Sequence, residues 1–135
     1  MKPFFHKLFF TIWPTTIWSV IIFILLATPG SGLPRQHILN IPNLDKVLHA
    51  ILFFVFTWLW AKKIHKDKPN INIKKQIIII AVIATLYGIA LEYVQLFVDR
   101  DFDIWDMVAD GAGAFACVLF YKKIGPGKNR GRNQN

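Results

Sequence analysis

Apolar residues in this chain come in long blocks, with polar residues gathered between them or at their ends. Residues 8–27 (LFFTIWPTTIWSVIIFILLA) hold 20 positions without a charge, enough helix to cross about 30 Å of hydrocarbon. Further blocks fall at about 45–61, 75–98 and 103–121. The second is short for a span. The fourth is the weakest by hydropathy, because Asp106 and Asp110 lie in its first two turns. Between the first two blocks the chain is punctuated by Pro29, Gly30, Gly32, Pro34 and Pro42, which break regular structure. The second and third are separated by a lysine-rich stretch, 62–75, with an irregular Asn-Ile-Asn-Ile run. Only Asp99-Arg100-Asp101 separates the last two, so they should form a tight antiparallel hairpin. The pattern predicts an all-α fold, an integral membrane bundle of four transmembrane helices in one domain, 1–121. The basic tail 122–135 has no means of building a core and should be disordered.

Local signals refine the picture. Pro14 should kink the first helix, and Trp13 suits an interfacial belt. Asn43 is placed to cap the second helix, with Asp45 in the first turn where the helix dipole favours an anion. Trp58 and Trp60 mark that helix's other interface. The basic start and the small residues of ATPGSG also suit a cleaved signal peptide. The first apolar block is long for one, which favours a retained helix.

Composition agrees: 54% of residues are hydrophobic and the mean hydropathy is +0.40. The net charge of +8 would suit a nucleic-acid binder, but its placement does not. Of 16 Lys and Arg residues, 13 precede the first block, lie between the second and third, or follow the fourth. Only Arg35, Lys46 and Arg100 fall on the other side. This is the positive-inside distribution of a multi-pass protein of the inner (cytoplasmic) membrane with both termini in the cytoplasm. No nucleic-acid partner is expected; the lipid bilayer is. The single Cys117 sits among Ala116 and Val118 as a small packing residue.

The chemistry is concentrated in 91–113, LEYVQLFVDRDFDIWDMVADGAG, which holds six of the eight carboxylates. On a helix Glu92, Gln95 and Asp99 share one face, and Asp103, Asp106 and Asp110 repeat the spacing, continued by Gly113. Asp45, Lys46 and His49 open the second helix at the same membrane face. Counting about 1.5 Å per residue puts Glu92 roughly 10 Å below Asp99, with Asp110 at similar depth. A lone carboxylate there costs about 2.5–3.5 kcal/mol, and such residues mark function by default. The expected object is a polar cleft open to the outer face, with His49, Lys46, Gln95 and Arg100 as partners for the acids. Asp101 and Asp103 read as solvated turn residues. Gly88, Gly111 and Gly113 read as sites of close helix packing. Two buried carboxylates in different environments can act as general acid and base. A cluster of Asp, Glu and His can also hold a divalent metal, although the spacing matches no helical zinc signature.

At these residues the chain resembles the VanZ-like family of small bacterial membrane proteins. The matching pieces are Asp45-Lys46-x-x-His49, Glu92-x-x-Gln95, Arg100, and Asp106-x-x-x-Asp110-x-x-Gly113, within 45–121. Asp110 stands where the family usually has Asn, which adds a charge. The resemblance implies a shared site of Asp45, Lys46, His49, Glu92, Gln95, Arg100 and Asp106. The family's founding member is associated with reduced susceptibility to the glycopeptide teicoplanin.

Three readings remain open. The first is an enzyme acting on a lipid or lipid-linked envelope substrate. Glu92, Asp106 and His49 would be catalytic, and Asp45, Lys46, Gln95, Arg100 and Asp110 would bind substrate. The second is a non-catalytic module that binds a lipid headgroup or a glycopeptide antibiotic. The third is an ion or proton carrier, which four helices would support only as an oligomer.

The charge asymmetry makes a direct prediction. In a Cys117→Ala background, Asp101→Cys should react with an impermeant thiol reagent added outside cells, and Lys66→Cys should not. The reverse labelling pattern would invert the topology.

Overall fold

The computed structural model describes residues 2–29, 43–68, 70–98 and 101–124. Four helices and no strands occur among them: α1 (Lys2–Ala27), α2 (Leu44–Asp67), α3 (Ile73–Gln95) and α4 (Ile104–Ile124). The apolar blocks are thus the helices, as expected. Three of them, Leu44–Asp67, Ile73–Gln95 and Ile104–Tyr121, are long and apolar enough to cross a membrane. The apolar part of α1, Ile12–Ala27, is shorter, and Pro14 lies inside that helix. Of the tail 122–135, expected to be disordered, 122–124 instead form the end of α4; the rest lies outside the described residues, as do 30–42, Asp99 and Arg100.

Helix ends differ from the hydropathy reading for local reasons. α2 runs six residues past Ala61, because its last turns are held at the surface. Lys63 pairs with Asp67 at 3.0 Å, one helical turn on. Lys62 lies 4.5 Å from the centroid of the Trp58 ring, and Lys63 lies 5.9 Å from that of Trp60. The irregular connection therefore shrinks to 68–72, and Asn72 closes it by accepting the Lys75 N–H at 3.3 Å. α3 stops at Gln95 rather than near Val98. Beyond it the chain tightens into a turn in which Phe97 and Val98 donate to Val94 and Gln95, three residues back. Asn43 does sit at the N-cap of α2, but with φ 67° and no side-chain capping bond. Asn tolerates that left-handed conformation better than other side chains with a Cβ.

Contacts between helices give their directions. Along α4, Asp103, Asp110 and Gly111 meet Glu92, Gly88 and Thr85 in turn, so α3 and α4 are antiparallel. Asp103, Asp106, Asp110 and Gly113 meet Lys46, His49 and Ala50 in the same order on α2, so α2 and α4 are parallel. α1 is fastened across α2 and α3: Trp18 donates its ring N–H to the Leu52 carbonyl at 3.1 Å, and Tyr87 donates to the Ser19 carbonyl at 3.0 Å. Ile22, Leu26, Phe53, Phe56, Leu91 and Ala114 form the main apolar core. Phe56 stacks on Tyr87 with ring centroids 5.7 Å apart. A second cluster, including Ile77, Cys117 and Tyr121, fills the other end.

The polarity of this bundle is inverted relative to a water-soluble one. Glu92, Gln95, His49 and Asp110 are buried, while Phe97, Leu119, Trp105 and Leu86 each expose 60% or more of their surface. Apolar side chains facing outward around buried polar ones suit a hydrocarbon solvent, in which exposed leucine costs nothing.

Small residues set how near the helices come. A Cβ on Gly113 would run into the backbone of Ala50, including its carbonyl oxygen. On Gly88 it would come within 2.9 Å of the Asp110 Cβ. At Gly111 the nearest atom is a Thr85 methyl at 3.4 Å, an ordinary contact. Gly113→Ala should therefore lower bundle stability by about 1–3 kcal/mol or more, read as a drop in thermal unfolding temperature in detergent. Gly111→Ala should be nearly neutral. Equal tolerance of both would show that α2 and α4 do not meet at Ala50.

Candidate functional site

The polar groups meet at the end of the bundle where α2 and α4 begin and α3 finishes. The α2 face at that end presents Asp45, Lys46 and His49, spaced so that one helical surface carries all three. Lys46 reaches across to α4, with Nζ 2.6 Å from Asp103 Oδ2 and 3.2 Å from Asp106 Oδ1. One turn deeper, His49 Nδ1 is 2.8 Å from Asp110 Oδ1. Both side chains are fully enclosed, at 1% and 0% exposure. The other ring nitrogen, Nε2, lies 3.8 Å from Asp106 Oδ2, beyond hydrogen-bond range. His49 Nε2 and Asp110 Oδ2 are buried without a hydrogen-bond partner among the described residues.

From α3 come Glu92 and Gln95, buried on one face. Gln95 Nε2 donates to Glu92 Oε1 at 3.1 Å, and the Asp103 backbone N–H donates to Glu92 Oε2 at 3.3 Å. Glu92 thus ties the end of α3 to the start of α4. Among the described residues considered as partners for the acids, Gln95 is the one hydrogen-bonded to it. Arg100, assigned to the site on sequence grounds, and Asp99, expected on the Glu92 face, lie outside the described residues. α3 itself ends four residues before Asp99.

Asp103 corrects the sequence reading of a solvated turn residue. It is only 36% exposed, it receives the Lys46 ammonium, and its Oδ1 accepts the Trp105 N–H at 2.8 Å. An acceptor immediately before a helix that bonds the second helical N–H is an N-cap. The signal was present in the sequence, since Asp is among the preferred N-cap residues and Asp103 stands at the start of the fourth apolar block. The adjacent Lys46 and the Trp105 N–H hold its carboxyl below the ordinary carboxylate range. Its contribution is therefore complete above that range and is lost only as pH falls through the lowered value. Asp101, by contrast, is exposed.

The comparison with known families now fits the geometry. The chain matches VanZ/LLP1 over residues 4–125. It belongs to that family. The match takes in α1 as well as the three helices that build the site. No curated protein and no solved structure matches the chain. Of the seven residues that the resemblance assigns to a shared site in this VanZ/LLP1 protein, six are described. All six, Asp45, Lys46, His49, Glu92, Gln95 and Asp106, lie at this one end.

Asp110, where the resemblance implies Asn, accepts from His49 through one oxygen. An Asn there could do the same while placing a neutral amide where the unpartnered Oδ2 now lies. Asp110→Asn should thus leave the unfolding temperature in detergent unchanged or raised. Asp110→Ala, which orphans a buried His49 N–H, should cost about 1–3 kcal/mol. Similar loss in both variants would show that the carboxylate charge itself, rather than the acceptor, holds His49.

Proposed function

We propose that this VanZ-family protein acts in the bacterial cell envelope as an enzyme on a lipid or lipid-linked envelope substrate. In this reading the bundle lies in the cytoplasmic membrane with both termini inside, and the polar end faces the periplasm or exterior. The observation that carries it is the burial of His49, Glu92, Asp106 and Asp110 at one end of a bundle whose outside is apolar. Each buried ionisable group is costly in such a place, and two of them keep a polar atom without a hydrogen-bond partner among the described residues. Groups held in that state are suited to a partner that arrives with the substrate.

The roles follow from position. Glu92 and Asp106 serve as the acid–base pair, because they occupy different surroundings. Glu92 is held by an amide and a backbone N–H, whereas Asp106 sits between Lys46 and His49. His49, held by Asp110, turns its Nε2 towards Asp106 and is the third catalytic group. Lys46 spends two contacts on Asp103 and Asp106, which leaves one of its three N–H donors for an anionic headgroup. Arg100 is the second cation proposed for that headgroup. Gln95 and Asp45 complete the substrate-binding set.

The test is a mass-spectrometric comparison of lipids and lipid-linked precursors from cells expressing wild type and Glu92→Gln. The amide can still accept the Asp103 N–H, so the fold should hold, while loss of a general acid or base lowers turnover by about 10²–10⁴-fold. A species made or consumed only by wild type is the expected result. Identical profiles at equal levels of folded protein would overturn the enzyme reading in favour of a module that binds a lipid headgroup or glycopeptide antibiotic.

A further inference from the structure

Three side chains at the polar end bring metal-ligating atoms together. One oxygen of Asp45, one oxygen of Asp106 and one ring nitrogen of His49 lie within 4.8 Å of one another. His49 Nδ1 is occupied by Asp110 Oδ1 at 2.8 Å. Its Nε2 is buried, lacks a hydrogen-bond partner among the described residues, and faces Asp106 Oδ2 across 3.8 Å. Asp106 divides its two oxygens: Oδ1 takes the Lys46 ammonium at 3.2 Å, and Oδ2 is the atom turned to His49.

We infer that Asp45, His49 Nε2 and Asp106 bind a first-row divalent cation of the zinc class, with Asp110 as the residue that positions His49. Asp110 accepts a hydrogen bond from Nδ1–H, which favours the tautomer whose Nε2 carries the lone pair. A carboxylate behind a ligand histidine is the usual outer support of such sites. An imidazole nitrogen with two carboxylates selects zinc-like ions over Mg²⁺ and Ca²⁺, which prefer oxygen donors throughout. Donors about 2.0–2.2 Å from a tetrahedral ion stand roughly 3.3 Å apart, so no gap in the trio need close by more than about 1.5 Å. Asp45 is half-exposed in the first turn of α2. Two carboxylates and a neutral imidazole balance the 2+ charge. Three protein donors leave a coordination position for water or a ligand oxygen. The inference does not depend on the proposed lipid substrate; with the cation bound, His49 Nε2, Asp106 and Asp45 serve as its ligands, and Glu92 is the acid–base group left free.

Metal content decides it. The full chain, carrying no histidine tag, is purified in detergent, stripped with a chelator and dialysed against micromolar Zn²⁺, and its zinc is counted by inductively coupled plasma mass spectrometry. Wild type should hold close to one zinc per chain. Asp45→Asn should weaken binding by more than the roughly 10–100-fold that loss of an outer partner costs. Because Asp45 is half-exposed at a helix end, this variant should keep the wild-type unfolding temperature in the metal-stripped state. His49→Gln should abolish uptake, and Asp67→Asn, at the far end of α2, should leave it intact. Failure of wild type to retain zinc would overturn the site, as would Asp45→Asn and His49→Gln proteins that retain it equally well. Lipid profiles report separately. Zinc bound with unchanged lipids removes the enzyme reading alone, and a lipid product without zinc uptake removes the metal site alone.

Discussion

The buried bond between His49 and Asp110 depends on how close α2 and α4 can come, and the rest of the polar end depends on that bond. Gly113 lets the α4 backbone lie against the carbonyl of Ala50, the residue next to His49. Gly88 leaves room on α3 for the Asp110 side chain. Any larger residue at either place would drive apart two groups that are almost wholly withdrawn from solvent. A carboxylate in an apolar layer is tolerated only with a partner. The small residues and the ionisable pair are thus two parts of one constraint.

From that contact outward, the site is arranged in tiers along the parallel helices. Lys46 bridges Asp103 and Asp106 near the end of the bundle, and His49 joins Asp110 one turn deeper. Glu92 closes the third side by holding the Asp103 N–H, so the same short segment that caps α4 also links α3 to the site. The α3–α4 turn is therefore part of the polar framework and more than a connector. The aromatic and apolar packing farther along the bundle, from Phe53 to Tyr121, gives these tiers a rigid base.

Much of this architecture was legible in the sequence, and the parts that were not have identifiable causes. Four apolar blocks became four helices because membrane-length hydrophobic runs leave the backbone little alternative to helix. Helix ends were less legible. The extension of α2 through Asp67 rests on an ion pair and on lysines lying over Trp58 and Trp60, in a stretch whose composition alone reads as loop. Asp103 read as a surface acid because its two partners come from different places, Lys46 from another helix and Trp105 from the next turn. Gln95 was among the partners expected for the buried acids, and among the described residues Glu92 is hydrogen-bonded by that amide and by the Asp103 backbone N–H rather than by Lys46 or His49.

By itself, the sequence determined the helix count, the outward apolar surface, the asymmetry of basic residues and the gathering of acids with His49 at one end. Each of these follows from one-dimensional periodicity, charge position and the geometry of a helix. Which acid meets which base was decided only by tertiary structure. Lys46 and His49 each have several carboxylates within one or two turns, and the register of α2 against α4, set by the backbone contact at Gly113, selects among them. The same register leaves one histidine nitrogen facing a carboxylate oxygen across a gap too wide for a hydrogen bond. No spacing rule within a single helix contains that relation, because it arises between two helices joined through a third.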